Sequence, residues 1–126
     1  MGKDPQEWLK QADYDMDTAE FMRSGDRNMY AVFMCHLSVE KALKGIYQKK
    51  SGGVPPRTHN LVFLAEKAQV EFPQELSDFI FSLNHAGVPT RYPDDLQRML
   101  KDYNKEKARE IVDKSKEVLK WLKALY

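Results

Sequence analysis

The sequence is poor in the residues that usually announce a chemistry. It has one cysteine, Cys35, among 126 residues, which excludes an intrachain disulfide and any cysteine-rich metal site. No run of about 18 apolar residues is present, so no membrane span is expected. The start, MGKDPQEW, has no apolar signal core, which points to a cytoplasmic protein. A net charge of +1 gives no overall basic signature for nucleic acid. The three histidines have no acid cluster beside them, so no metal is expected. There is no phosphate-cradling glycine loop, no nucleophile elbow and no readable pair of catalytic carboxylates. Nothing alternates with period two for long enough to make a strand, and no segment repeats.

What remains is helical periodicity. Tyr30 to Gln48, YAVFMCHLSVEKALKGIYQ, is almost continuously apolar, as expected of a helix buried on most sides. His36, Glu40 and Lys44 recur every four residues and so share one ridge. Cys35, Ser38, Ala42 and Gly45 form a second ridge of small residues that lets a neighbouring helix approach closely. Gly45 costs about 1 kcal/mol relative to Ala in a helix interior, so close packing is a reason for it. Cys35 in this setting reads as a buried structural thiol.

A first helix opens at Asp4-Pro5-Gln6-Glu7 with Asp4 as N-cap, Pro5 at the first position and Glu7 closing a capping box. Its inner stripe is Leu9, Ala12, Met16 and Ala19. Ser24-Gly25 ends it, Asp26 is placed to cap the central helix, and so short a turn makes the two antiparallel. The central helix stops before Gly52-Gly53, and Val54-Pro55-Pro56 is stiff and extended. Thr58 is placed to cap a third helix carrying Leu61, Leu64, Ala65 and Ala68. After Phe72-Pro73 a fourth helix buries Leu76, Phe79, Ile80 and Leu83 and ends near His85-Ala86-Gly87. Residues 88–95 read as a proline-held loop, followed by a short helical turn through Leu100. The last helix starts after an Asn104 cap, runs to Leu125 and is expected to bury Ala108, Ile111, Ser115, Val118, Leu122 and Leu125. The expectation is an all-α fold, an up-and-down bundle of five helices forming a single domain over 1–126.

Charge is distributed unevenly. Residues 1–26 hold seven acidic against three basic residues, and 98–126 hold nine basic against five acidic. This favours packing the first and last helices side by side; two solvated faces that never meet would read the same way.

Several polar residues fall where a bundle needs none: His36, Glu40 and Lys44, then Arg57 and His59 before the third helix, His85, and Arg91 with Tyr92. Arg pairs bidentately with phosphate, and Tyr or His stacks on a base. A His also serves as general base on a ribose hydroxyl, with Arg stabilising the charged transition state. Structural readings stand beside these. His36 and Glu40 satisfy each other or an incoming Arg in the core; Lys44 snorkels to solvent; His59 caps or packs; Arg91 closes a loop with Asp94; His85 meets a helix C-terminus.

AVFMCHLSVEKALKGIY, then PPRTHNLVFL, then VPTRYPDD together resemble the HEPN domain family, the higher eukaryotes and prokaryotes nucleotide-binding domain. The carrying pattern is H-x-x-x-E-K-x-x-K, R-x-H-x-L and R-Y-P. The resemblance spans nearly the whole chain and implies a bundle of this design, often a homodimer. It also implies a small nucleotidyltransferase partner in a toxin–antitoxin-type pair. Active members are metal-independent ribonucleases with an Arg followed a few residues later by a His. Here no His follows Arg91, Arg57-Thr58-His59 has too short a gap, and the tyrosine that follows the motif in toxin members is missing. The resemblance therefore implies a nucleotide- or RNA-phosphate-binding domain without cofactor, with Arg57, His59, Arg91 and Tyr92 binding and His36, Glu40, Lys44 and Asp94 supporting. The alternatives are a degenerate ribonuclease using His59 or His85 with Arg91, and a homodimeric interaction module with an apolar patch around Trp121 and Tyr126.

Overall fold

The computed structural model describes the backbone of residues 4–91 and 96–126, and the side chains of 4–86 and 96–126. It is all helical among the described residues, with α1 Pro5–Ser24, α2 Asn28–Ser51, α3 Leu61–Lys67, α4 Gln74–Arg91, α5 Leu96–Asp102 and α6 Lys105–Lys123. Six helices replace the expected five, because the short turn near Leu100 is a helix of its own. No helix is long and apolar enough to cross a membrane among the described residues.

α2 is the element around which the others pack. Val32, Val39, Leu43 and Ile46 are fully buried on it, each worth about 1.5–3 kcal/mol of transfer free energy. Its small-residue ridge does what the spacing predicts. Ser38 Oγ donates to the Ala12 carbonyl at 2.7 Å, a contact possible only with α1 lying close. Gly45 sits under Trp8 and Tyr126: a Cβ there would meet the Tyr126 hydroxyl and stand 2.9 Å from Trp8 Cβ. The Tyr126 hydroxyl donates to the Ala42 carbonyl at 2.7 Å, and Trp8 Nε1 to Gln48 Oε1 at 2.9 Å. Trp121 packs on Phe72, ring centroids 5.1 Å apart, and is half-buried like Tyr126. The apolar patch expected around these two residues is therefore not an exposed one.

The oppositely charged ends do meet. Glu20 pairs with Lys116 at 2.5 Å and Asp13 with Lys123 at 2.6 Å, fastening α1 to α6. Exposed pairs like these contribute about 0.2–1 kcal/mol each, so they set which helices are neighbours more than how stable the bundle is.

The caps follow the sequence in part. Asp4 accepts from Gln6 N at 2.8 Å and Asn104 from Lys107 N at 2.9 Å. Glu7 accepts from Gln11 Nε2 instead of closing a box. Asp26 does not cap α2: Arg27 holds the N-cap position, and Asp26 takes the left-handed region at φ 60°. The chain must reverse between α1 and α2, and Asp tolerates that region better than most residues. Thr58 does not cap α3 either; Asn60 does, accepting from Phe63 N at 3.0 Å. The largest departure is α4, which does not stop at Gly87 but runs through Pro89 to Arg91. Pro89 falls in the last turn, where its missing N–H forfeits one hydrogen bond, that to the His85 carbonyl.

Candidate functional site

The site is built on the charged ridge of α2. Glu40 is 3% exposed and His36 is 2% exposed, which makes Glu40 a carboxylate that needs partners. They come from two elements. Lys44, one turn on, places Nζ 3.0 Å from Glu40 Oε2. His59, from the connector before α3, places Nδ1 3.0 Å from Glu40 Oε1. His36 Nδ1 stands 3.7 Å from the same oxygen, within ion-pair range but beyond a hydrogen bond. Lys44 is thus not simply snorkelling; its side chain is 13% exposed and its charge is matched inside. The next residue along, Lys41, pairs with the buried Asp15 of α1 at 2.9 Å. Burial nevertheless holds the Asp15 carboxyl above its usual range, with the Lys41 hydrogen bond opposing.

Local geometry fixes His59. Pro55 is buried, anchoring the stiff segment, and Thr58 N bonds the Pro56 carbonyl at 3.0 Å. Thr58 Oγ1 accepts from Asn60 N at 3.2 Å. Asn84 of α4 then clamps the start of α3: its Oδ1 accepts from Leu61 N at 2.8 Å and its Nδ2 donates to Asn60 Oδ1 at 3.1 Å. The connector is held at both ends, so the imidazole is delivered to Glu40 without a long search of conformations. A carboxylate oxygen only accepts, so His59 Nδ1 carries the proton there. Nε2 is then the nitrogen left to meet a ligand on a side chain that is 58% exposed. Arg57, two residues earlier, is exposed on the same connector.

Four of the residues singled out by sequence, His36, Glu40, Lys44 and His59, therefore converge. His85 does not belong with them. It lies within α4 instead of at its end, donates Nδ1–H to the Phe81 carbonyl at 3.0 Å, and has its ring 4.6 Å from that of Phe81. The side chain of Arg91, and Tyr92 and Asp94 altogether, lie outside the described residues. Asn60 and Asn84 escaped the sequence reading. Asn60 had a visible signal, an N-cap type directly before Leu61; Asn84 had none, since its role depends on α4 crossing the start of α3. Among the described residues no group of three or more His, Cys, Asp or Glu is arranged to hold a metal ion. Burial pushes the Cys35 thiol up to about 12, which keeps it protonated and unreactive.

The family model for the HEPN domain matches residues 5–125. Two solved structures are similar over almost their full lengths. TT1696 from Thermus thermophilus gives a TM-score of 0.82 at 22% identity, covering 97% of this chain and 98% of that one. ST0689, described as an archaeal HEPN homologue, gives 0.78 at 26% identity, covering 98% of each chain. No curated protein matches the sequence.

Proposed function

This chain belongs to the HEPN domain family, and on that premise we propose that it binds a nucleotide or an RNA phosphate beside the Glu40 carboxylate. The observation that carries this reading is the pairing of buried Glu40 with His59 at 3.0 Å. It fixes the connector so that the exposed imidazole and the Arg57 guanidinium are presented from a rigid segment. Arg57 and Arg91 hold phosphate, His59 or Tyr92 contacts the base, and Glu40 with Lys44 and His36 keeps the platform in place. A guanidinium suits this work because its fork of donors matches phosphate oxygens. The domain works as a homodimer and as the partner of a minimal nucleotidyltransferase in a toxin–antitoxin-type pair, a reading supported by the family resemblance.

Calorimetric titration with ATP, GTP and a short RNA tests the binding at about 0.1 mM protein, a concentration suited to weak sites. Heat that is lost in Arg57→Ala supports it; no heat with any of the three ligands overturns it.

The same pair favours one second reading. A carboxylate behind an imidazole fixes the tautomer and leaves Nε2 to take a proton, the arrangement a metal-independent ribonuclease needs from His59. RNA cleavage in EDTA that disappears in His59→Ala supports it, and intact RNA rejects it.

A further inference from the structure

We propose that the cavity between α4 and α6 binds a free amino acid with a large aromatic side chain. The site lies apart from the Glu40–His59 pair. Asn84 of α4 reaches toward the start of α3, whereas the cavity opens on the flank of α4 that faces α6.

The cavity has a volume of about 640 Å³, within the roughly 300–1,000 Å³ of pockets that enclose small molecules. Phe79 and Leu83 of α4, Ile111 of α6 and Tyr103 at the turn before α6 make its walls. Leu83 and Ile111 are buried, Phe79 and Tyr103 half-buried, so an apolar floor rises to aromatic sides. Rings pack favourably on other rings, edge to face or offset, and a small aliphatic group would leave much of this space unfilled. Burial, with the Asp102 charge adding to it, holds the Tyr103 phenol above its ordinary 10.0. Tyr103 is therefore a neutral wall with a hydroxyl able to donate.

The charges at the rim choose what the ring carries. Lys107, Glu110 and Lys114 of α6 line the cavity. Lys114 is committed within the chain, to Glu75 at 2.6 Å and Glu117 at 3.5 Å. Lys107 and Glu110 are exposed, and among the described residues neither forms an ion pair with the other or with a third residue. Three positions apart, they are neighbours on one helix face. One ammonium and one carboxylate thus stand side by side, uncommitted, at the mouth of an apolar cavity. A ligand carrying only a negative charge is repelled by Glu110, and one carrying only a positive charge by Lys107. A zwitterion satisfies both: its carboxylate pairs with Lys107 and its ammonium with Glu110. In an amino acid the two charges and the side chain branch from one carbon, so a ring attached there enters the cavity while the charges stay at the rim.

NMR titration of the full chain with L-tryptophan tests this. Saturable shifts at Phe79, Tyr103 and Ile111 are expected, with a Kd of about 1 mM. Tryptamine lacks the carboxylate and indole-3-propionate lacks the ammonium, and each is expected to bind about threefold more weakly or worse. Glycine has both charges and no ring, and is expected to leave these residues unshifted. Two surface variants then move the selectivity without touching the walls. Lys107→Gln brings tryptamine closer to tryptophan in affinity, and Glu110→Gln does the same for indole-3-propionate. No shift by about 10 mM tryptophan, equal affinity for the three indoles, glycine binding as tight as tryptophan, or the same selectivity in both variants overturns the site. Nucleotide titration reads the Glu40–His59 site separately and bears on none of these outcomes.

Discussion

Glu40 Oε1 and His59 Nδ1 lie 3.0 Å apart across 19 residues of sequence, joining the most buried helix to the connector that precedes α3. The carboxylate is inside and the imidazole is mostly outside, so the pair carries the core's rigidity to the surface. Its strength depends on that asymmetry: a buried acceptor cannot be abandoned cheaply, whereas an exposed His is free to meet a ligand with its other nitrogen.

Glu40→Gln keeps the shape of the side chain and removes its charge. Lys44 and His59 then lose their counter-charge. Breaking a fully buried pair costs about 3–5 kcal/mol; with Lys44 and His59 partly solvated, a loss of about 1–3 kcal/mol is expected by the same principle. Urea unfolding checks it, and a stability equal to wild type would mean that the carboxylate is not paired as described.

Gly45→Ala is expected to destabilise, although alanine favours helices. The gain in propensity is about 1 kcal/mol. Against it, the new methyl stands 2.9 Å from Trp8 Cβ and meets the Tyr126 hydroxyl, and overpacking of this kind costs about 1–3 kcal/mol. Thermal unfolding of Gly45→Ala, alone and with Tyr126→Ala, separates the contributions. The second change should recover part of the loss by emptying the space above the methyl.

Acid should weaken the fold through Glu20 and strengthen it through Asp15. The Lys116 hydrogen bond, first among several causes, holds the Glu20 carboxyl below its ordinary 4.5. Its contribution is therefore complete above pH 4.5 and fades as pH falls toward the lowered folded value. Burial holds Asp15 above its ordinary 3.8, so stability gained from protonating it appears as pH falls from that raised value toward 3.8. Urea unfolding of Glu20→Gln and Asp15→Asn across this range should show wild type losing its advantage over the first variant and gaining on the second.

Cys35 is fully buried and its thiol is pushed up to about 12. A disulfide-exchange reagent at neutral pH should leave the native chain unlabelled and label it fully in denaturant. Prompt labelling of the native chain would place Cys35 at the surface.

Much of this architecture was legible in the sequence because it is local or periodic. The four-residue ridge of His36, Glu40 and Lys44, the small ridge that receives Trp8 and Tyr126, and the caps at Asp4 and Asn104 all follow from spacing along one helix. The opposite charges of the two chain ends also found each other. What spacing could not show is what arrives from elsewhere. His59 reaches Glu40 only because Asn84 clamps the start of α3, and nothing near Asn84 in sequence announces that. Pro89 misled because a proline usually ends a helix at the residue before it, whereas α4 continues through it to Arg91 at the loss of one hydrogen bond. Asp26 misled because the reversal of the chain took precedence over its capping chemistry.

The most direct measurement is a nitrogen-detected imidazole spectrum of His59 during titration with a short RNA or ATP. The account predicts that His59 Nε2 shifts on saturation while Nδ1 stays bonded to the carboxylate, and that Glu40→Gln and Arg57→Ala weaken the titration. Binding that leaves His59 unmoved, or that perturbs the Phe81 and His85 rings instead, would contradict it.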